Sequence, residues 1–478
     1  MKKSRPYNTF SLEASLIFIM LLLSLLARAY IYTNHNPSWD PAAYILMGKY
    51  MFSLGNVGLW EPLRPIIWSA MLGFSWFLGG DPIYWGHILQ ILFSLGSIYL
   101  VYLISRLVFD KKVGVLAAFF LSFSPIYFFW GNYLFTRLPS TFFGLLSLYL
   151  LLKSKHLSSG IMSGIAFLTN YTQFLLFVSL SLINSFQLGK KEKFRETIKY
   201  MFGFVLVFTI FLISNSFMYH NPLFPITLSF KTLRAYSPLW YQGPFYYLTL
   251  LATQEGFYLL FCLVGIFFVV RKDRDAKKLL ILLISIIFFA FTVTLREQNS
   301  RYLITLLPYL SLLSAYGIMK SYDFLKKKSH LISMVISIIF ISLLISFKYS
   351  QLKSINIPKK EFDVFQEYIE RNKNKITGDI WISNPMMVVY SDLKPSQLIY
   401  FPVFDSKKAK ELQSKLNTAS LIMFNSYDFP CSPIGDNACE EEKARLIKKI
   451  GSEFKPVINA VDQTGKTVGG IFTSQTPP

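Results

Sequence analysis

Asn34-His35-Asn36-Pro37-Ser38-Trp39-Asp40-Pro41, an apolar run over 42–52, then Gly55, Gly58 and Trp60-Glu61-Pro62-Leu63-Arg64-Pro65 form the stretch on which the rest of the chain turns. It comes after the first long hydrophobic run and is much longer than a turn between two spans needs, which marks loops with work to do or loops without structure. Its Trp, Tyr, Met and Leu content excludes the second case. His35, Asp40, Glu61 and Arg64 all lie in it, and Asp40 stands directly before a helix-forming run.

On both sides the sequence is that of a membrane protein. Of 478 residues, 53% are hydrophobic and 17% aromatic, and the apolar runs are long and uncharged. The net charge of +21 is unevenly spread: 31 Lys and Arg face 12 Asp and Glu over 1–349, against 17 and 15 over 350–478. The excess sits in short loops between apolar runs, where it sets orientation. A nucleic-acid partner would need a basic face on a soluble part, and the soluble part here is close to neutral, so none is expected. Met1-Lys2-Lys3-Ser4-Arg5 and Ala27-Arg28-Ala29 imitate a signal peptide with its cleavage site, but the run from Phe10 to Tyr32 is too long for one and reads as an uncleaved first helix.

Hydrophobic length places spans near 10–32, 84–108, 112–130, 132–152, 159–171, 172–188, 197–218, 250–270, 278–295, 301–320 and 330–348, about eleven in all. With the N-terminus in the cytoplasm, the basic clusters near Lys111, Lys153, Lys190, Arg271 and Lys326 all fall inside. This requires Ser159–Leu188 to be two short helices meeting near Asn170-Tyr171, since one crossing would reverse the side of the Lys190 cluster. The spacing predicts a polytopic α-helical membrane domain over 1–349. Over 350–478 it predicts an extracytoplasmic α/β domain, with helices at 361–372, 406–416 and 439–450 and buried strands at 379–383 and 420–424. Cys431 and Cys439 bracket a turn-forming loop there and suit a disulfide in an oxidising compartment.

Several groups can carry chemistry. Asp40 before Pro41 reads as a helix cap, and equally as a general base at the membrane surface. Arg296 ends one span and Arg301-Tyr302 opens the next, so a pair of guanidiniums can clamp a phosphate from two points; the plainer reading is interfacial snorkelling. Arg137 falls about one turn inside its span, where a lone arginine is expensive. His35, His87 and His220 with Asp40 would make up a zinc set only if three separate loops converged. Asp81 in the same first loop, and Asn221 in Tyr219-His220-Asn221-Pro222-Leu223-Phe224-Pro225, are further substrate-loop candidates.

Trp39-Asp40-Pro41-x-x-Tyr44-x-x-x-Gly48 is similar to the acidic motif of the GT-C glycosyltransferases. Pro62-Leu63-Arg64-Pro65 and Gly79-Gly80-Asp81-Pro82 resemble the segments downstream of that motif in the same loop. Asn221-Pro222-Leu223-Phe224-Pro225 resembles a proline motif of a later outer loop, and Arg301-Tyr302-Leu303 with Pro308 a late arginine-tyrosine motif. The resemblance covers roughly 10–348, and its nearest branch is the protein O-mannosyltransferase and aminoarabinose-transferase-like one. It implies a GT-C-like fold and transfer of a sugar from a polyprenyl-phosphate donor to a glycan, lipid or protein hydroxyl, in the plasma membrane and among its lipids. Asp40 would serve the acceptor, with Arg296, Arg301, Tyr302 and Arg137 at the donor phosphate and His35, Glu61, Arg64, Asp81 and Asn221 in the substrate loops. No nucleotide cofactor is expected, and a divalent metal is left open. Many members have Asp-Glu where this chain has Asp40-Pro41, a Glu where it has Thr136-Arg137, and a Lys where it has Asn170. A lipid-linked sugar flippase is the rival reading; the absence of internal repeats and of acidic residues in mid-span speaks against it.

Overall fold

The computed structural model describes residues 12–31, 37–186, 191–236, 241–295, 297–353, 364–372, 376, 378–399, 404–431, 435–465 and 467–474. Its contacts gather the chain into two compact units: Met1–Tyr32 with His87–Ser214 and Tyr241–Ile357, and Thr33–Gly86 with Asn215–Trp240 and Pro358–Pro478. Composition divides the chain at 349/350; its contacts group 33–86 and 215–240 with the C-terminal part.

The first unit is helical. It contains α1 (Leu12–Ile31), most of α4 (Pro82–Val108), α5 (Lys111–Ser122), α6 (Pro125–Trp130), α7 (Arg137–Leu152), α8 (His156–Thr169), α9 (Phe174–Phe186), most of α10 (Lys191–Tyr219), α12 (Tyr246–Leu250), α13 (Leu260–Arg271), α14 (Ala276–Thr294), α15 (Leu307–Lys328) and α16 (His330–Lys353). Polar residues set the breaks. Asp110 caps α5 by accepting from Val113 N at 2.9 Å, and Ser124, ahead of Pro125, accepts from Tyr127 N at 3.1 Å and splits 112–130 into α5 and α6. Asn170 is extended, at φ −156° and ψ 119°, and separates α8 from α9 where the two-helix reading of 159–188 puts the break.

Among the described residues, helical segments Leu12–Tyr30, Pro82–Val108, Phe194–Tyr219 and Ala276–Thr294 are long and apolar enough to cross a membrane; Tyr246–Glu255 and Leu260–Arg271, bent by 107°, add a fifth if they are one broken span. The spans placed by hydrophobic length include α15 and α16, helices of 22 and 24 residues, and the run 112–130, which the Ser124 cap divides into α5 and α6. Gly265 and Gly317 let α13 and α15 touch along their backbones: a Cβ on Gly317 would stand 2.0 Å from Phe261 O, the small-residue contact by which helices associate in lipid.

The second unit holds α2 (Trp39–Phe52), α3 (Ile66–Phe77), α11 (Phe224–Tyr236), α17 (Val364–Asn372), α18 (Ser406–Lys415), α19 (Asn437–Glu453) and strands β1 (Asp379–Ile382), β2 (Gln397–Leu398), β3 (Ala419–Asn425), β4 (Phe454–Val461) and β5 (Thr467–Ser474). The sheet runs β2-β1-β3-β5-β4. β2, β1 and β3 are parallel and β5 and β4 antiparallel, with Ile382 opposite Met423 and Met423 opposite Ile471. Strand alternation makes two apolar faces. Trp381, Ile422, Phe424 and Phe472 pack with Leu412 of α18 and Leu446 and Ile450 of α19. Ile380, Ile382, Met423 and Ile471 pack with Met387, Val388 and Leu46 of α2. The long polar stretch after the first hydrophobic run therefore holds two helices, of which sequence reading marks only α2, and α2 covers one face of the sheet. α2 and α3 meet at Gly48 and Gly73, where a Cβ on Gly73 would lie 2.3 Å from Gly48 O. Cys431 and Cys439 are bonded, Cα to Cα 5.8 Å.

Candidate active site

The first polar group is in the second unit. Ser38, not Asp40, holds the N-cap position of α2, and its side chain caps nothing. Asp40 falls in the first turn, where the helix dipole favours a carboxylate. Its Oδ1 accepts from Arg64 Nη1 at 2.7 Å, while Arg64 Nε donates to Glu61 Oε2. Pro62 and Pro65 bracket that turn, which closes with Arg64 N donating to Glu61 O at 3.3 Å. The guanidinium lies over the Tyr44 ring, 5.1 Å from its centre, one helical turn after Asp40. The side chains of Arg64 and Glu61 are 9% and 2% exposed and that of Asp40 is 25% exposed. Burial alone would lower the Arg64 pKa, but the charges of Glu61 and then Asp40 raise it well above the ordinary arginine value. Trp60 Nε1 donates to the Tyr219 hydroxyl, tying this loop to the start of the 215–240 stretch.

A second group is in the first unit. Arg137 opens α7 and is buried, its guanidinium 3.9 Å from the centre of the Tyr302 ring. Arg301 is 5.7 Å from the same ring and 5.0 Å from that of Phe135, and it pairs with Glu297 at 2.9 Å. Tyr302 stands in a short 3-10 turn, Ser300–Thr305, whose start is pinned by Trp130 Nε1 donating to Ser300 Oγ at 2.8 Å. Asn170 Nδ2 donates to Thr136 Oγ1 at 3.0 Å, beside Arg137. Two guanidiniums against one tyrosine ring, one of them tethered by a carboxylate, make a cationic cluster suited to a phosphate.

Of the other candidates from the sequence, Asp81 and Asn221 have partners in their own loops. Arg296 and His35 lie outside the described residues. Asp81 accepts from Ile83 N at 2.8 Å at the start of α4, and Asn221 accepts from Leu223 N at 3.1 Å within its turn; each has a local backbone role. His87 is buried in the first unit, and His220, at φ 53°, comes directly after α10 in the second. Among the described residues no three of His, Cys, Asp and Glu are placed to hold a metal ion, and Asp40 and Glu61 are both tied to one guanidinium. The Asp40–Arg64–Glu61 group does not fit a metal ion, because a guanidinium already binds both carboxylates.

Sequence reading passes over Glu255, an acid in the apolar run 250–270. It is fully buried, and Ser124 Oγ at 2.5 Å, Ile126 N at 3.3 Å, Tyr258 OH at 3.1 Å and Lys348 Nζ at 2.8 Å all donate to it. Glu255 falls near the start of the apolar run 250–270 and ends the segment Tyr246–Glu255 at its bend to Leu260–Arg271. An acidic residue in an apolar run is the signal that could have found it.

Residues 64–215 match the family model of dolichyl-phosphate-mannose-protein mannosyltransferases. No curated protein sequence matches the chain significantly. Among solved structures, the chain is similar to the oligosaccharyltransferase AglB of Archaeoglobus fulgidus, in complex with an inhibitory peptide and a dolichol-phosphate, with TM-score 0.64 and 11% identity over 98% of this chain and 75% of that one. ArnT of Cupriavidus metallidurans, bound to undecaprenyl phosphate, gives TM-score 0.60 and 11% identity over 96% and 97%. The arabinofuranosyltransferase AftD from Mycobacteria gives 0.59 and 9% over 96% and 41%. The chain has the GT-C fold. At these identities the likeness is one of fold, and the GT-C match spans the helical part and the sheet-bearing part together.

Proposed function

We propose that this GT-C chain is a membrane glycosyltransferase that moves a sugar from a polyprenyl-phosphate carrier to a hydroxyl of a glycan, lipid or protein at the outer face of the membrane. The observation that carries this reading is Asp40, a partly exposed carboxylate in the first turn of α2, gripped by a buried guanidinium. The acceptor hydroxyl gives its proton to Asp40 as its oxygen bonds to the anomeric carbon. The bond from that carbon to the phosphate oxygen breaks and polyprenyl phosphate leaves. Arg137 and Arg301, together with Arg296, take the charge of the leaving phosphate. Dolichol-phosphate in AglB and undecaprenyl phosphate in ArnT support this class of carrier. Residues 1–349 carry the catalysis; residues 350–478 lie outside the cytoplasm, as the basic loops require, and serve the acceptor side.

The test is incubation of the purified chain with labelled polyprenyl-phosphate sugars and a set of glycan, lipid and peptide acceptors. Free polyprenyl phosphate and a labelled acceptor should appear together. Movement of intact donor across a vesicle bilayer, with no release of polyprenyl phosphate, would instead establish the flippase.

A further inference from the structure

We infer that Arg64 is a positioning residue that holds Asp40 for proton transfer, and that Glu61 is the counter-charge that lets it do so. This rests on the reading of Asp40 as the base. Arg64 divides its fork: Nη1 goes to Asp40 Oδ1 at 2.7 Å and Nε to Glu61 Oε2. The guanidinium cannot swing, because it is buried over the Tyr44 ring and its backbone is closed in a turn between two prolines.

The arrangement answers a difficulty in using a salt-bridged carboxylate as a base. A carboxylate paired alone with a buried arginine resists protonation, since taking the proton strands a buried cation, and such stranding is strongly unfavourable. Here Glu61 keeps Arg64 paired after Asp40 is protonated. Glu61 is the more deeply buried carboxylate and, among the described residues, its Oε1 has no partner. A buried carboxylate with one oxygen unsatisfied is expensive to keep and is accounted for if its charge is needed beside Arg64. The three groups together carry one negative charge, and Asp40 is the member open to solvent. Glu61, Asp40 and Tyr44 are among the titratable groups acting on Arg64, Glu61 most strongly and then Asp40. Removing the cation should make Asp40 easier to protonate, and removing the second carboxylate should make it harder. The two changes therefore act in opposite directions, which a loop staple with no part in turnover would not do to the rate.

The experiment measures two things in the full-length chain in detergent, for wild type, Arg64→Gln, Arg64→Lys and Glu61→Gln. Carbodiimide labelling of Asp40, followed by peptide mass spectrometry, gives the pH midpoint of its carboxyl. Release of polyprenyl phosphate from a polyprenyl-phosphate sugar gives the acid limb of kcat/KM. Arg64→Gln should raise both midpoints by roughly 1–3 pH units, the range by which an adjacent arginine depresses an aspartate. Arg64→Lys should restore most of the shift, and Glu61→Gln should lower both. Midpoints that move while the acid limb stays fixed, or limbs that move the same way in both neutralised variants, overturn the inference. Should Arg64→Gln fail to fold, Arg64→Lys and the isosteric Glu61→Gln still decide it. Asp40→Asn separates the two layers: full activity there sinks the base reading itself, whereas an inactive Asp40→Asn with unmoved limbs sinks only the role given to Arg64 and Glu61.

Discussion

Lys49, near the end of α2, and Asp392, in the loop between β1 and β2, meet at 3.1 Å although 343 residues separate them. Lys49 Nζ also donates to Ser391 O at 2.9 Å and Val389 O at 3.3 Å, so all three ammonium protons are used. Gly58 N donates to Leu393 O at 3.0 Å from the same loop, and Leu46 enters the core under the sheet. The helix whose first turn carries Asp40 is thus fixed at its other end by the C-terminal domain.

Lys49 is 4% exposed and Asp392 63%. Burial lowers the Lys49 pKa and Asp392 partly offsets that. Lys49→Met leaves two carbonyls without a donor and should cost about 1–3 kcal/mol. Asp392→Asn leaves an exposed group that water can solvate and should cost less than about 1 kcal/mol. Thermal unfolding in detergent should rank the two in that order. An equal loss in both would mean that the ion pair, not the carbonyl contacts, holds α2.

Asp428 gives the C-terminal domain a pH dependence of known sign. Burial raises its pKa above the ordinary 3.8, against hydrogen bonds from Ser383 and Asn384. The folded carboxyl therefore keeps its proton to a higher pH than the unfolded one. Its contribution is fully present below about pH 4 and is lost as pH rises through the folded value. Asp428→Asn should flatten the stability profile of the domain in that window. A profile unchanged by the substitution would place the titration elsewhere.

The helical runs, the break at Asn170, strands β1 and β3 and the Cys431–Cys439 spacing are legible in the sequence because each is local: a hydrophobic period, a cap or a turn states itself within a few residues. α3 is not, because Ile66–Phe77 lies inside a stretch whose prolines and glycines read as loop, and its place is set by the meeting of Gly73 with Gly48. β4 lacks the alternation that marks a strand, since its residues after Phe454 are exposed or half-buried on both sides. Asp40, Glu61 and Arg64 are all legible as polar residues in one loop, but the pairing of one guanidinium with both acids depends on how the Pro62–Pro65 turn closes on α2. Lys49 gives no local sign at all, because its partners come from the other end of the chain.

Arg301→Lys tests the donor side. Lysine keeps the charge but loses the planar fork that bonds Glu297 and lies over Phe135. Loss of one charged hydrogen bond to the lipid phosphate, about 1.5–3 kcal/mol, should raise the donor KM by roughly 10- to 100-fold, with a smaller effect on the acceptor KM. Unchanged donor KM would leave Arg301 as a structural partner of Glu297 only.

Glu255 and Lys348 are suited to a double-mutant cycle. They form a buried pair at 2.8 Å that joins α16 to the bend between α12 and α13, with Ser124, Ile126 N and Tyr258 also donating to the carboxylate. Lys348→Met strands the carboxylate and Glu255→Gln strands the ammonium, so each alone should destabilise by about 3–5 kcal/mol. The double variant should be much less damaged than the sum, with a coupling of roughly 0.5–3 kcal/mol. Additive losses would show that the two charges are independently solvated.

Asp40→Asn bears on the chemistry itself. Asn matches Asp in size but cannot accept the acceptor's proton, and its amide can still accept one hydrogen bond from Arg64 through its carbonyl oxygen. Asp40 does not cap α2, because Ser38 occupies that position, so the substitution should leave the helix start intact. Arg64 stays paired with Glu61, and the fold should lose no more than the exposed half of the shared bridge, under about 1 kcal/mol. Turnover should nevertheless fall by roughly 10²–10⁴-fold, the usual contribution of a general base. The measurement is release of polyprenyl phosphate per mole of protein that elutes and melts like wild type. Near-normal release from such protein would remove Asp40 from proton transfer and move the search for the base to Glu61 and Asp81 in the same loop.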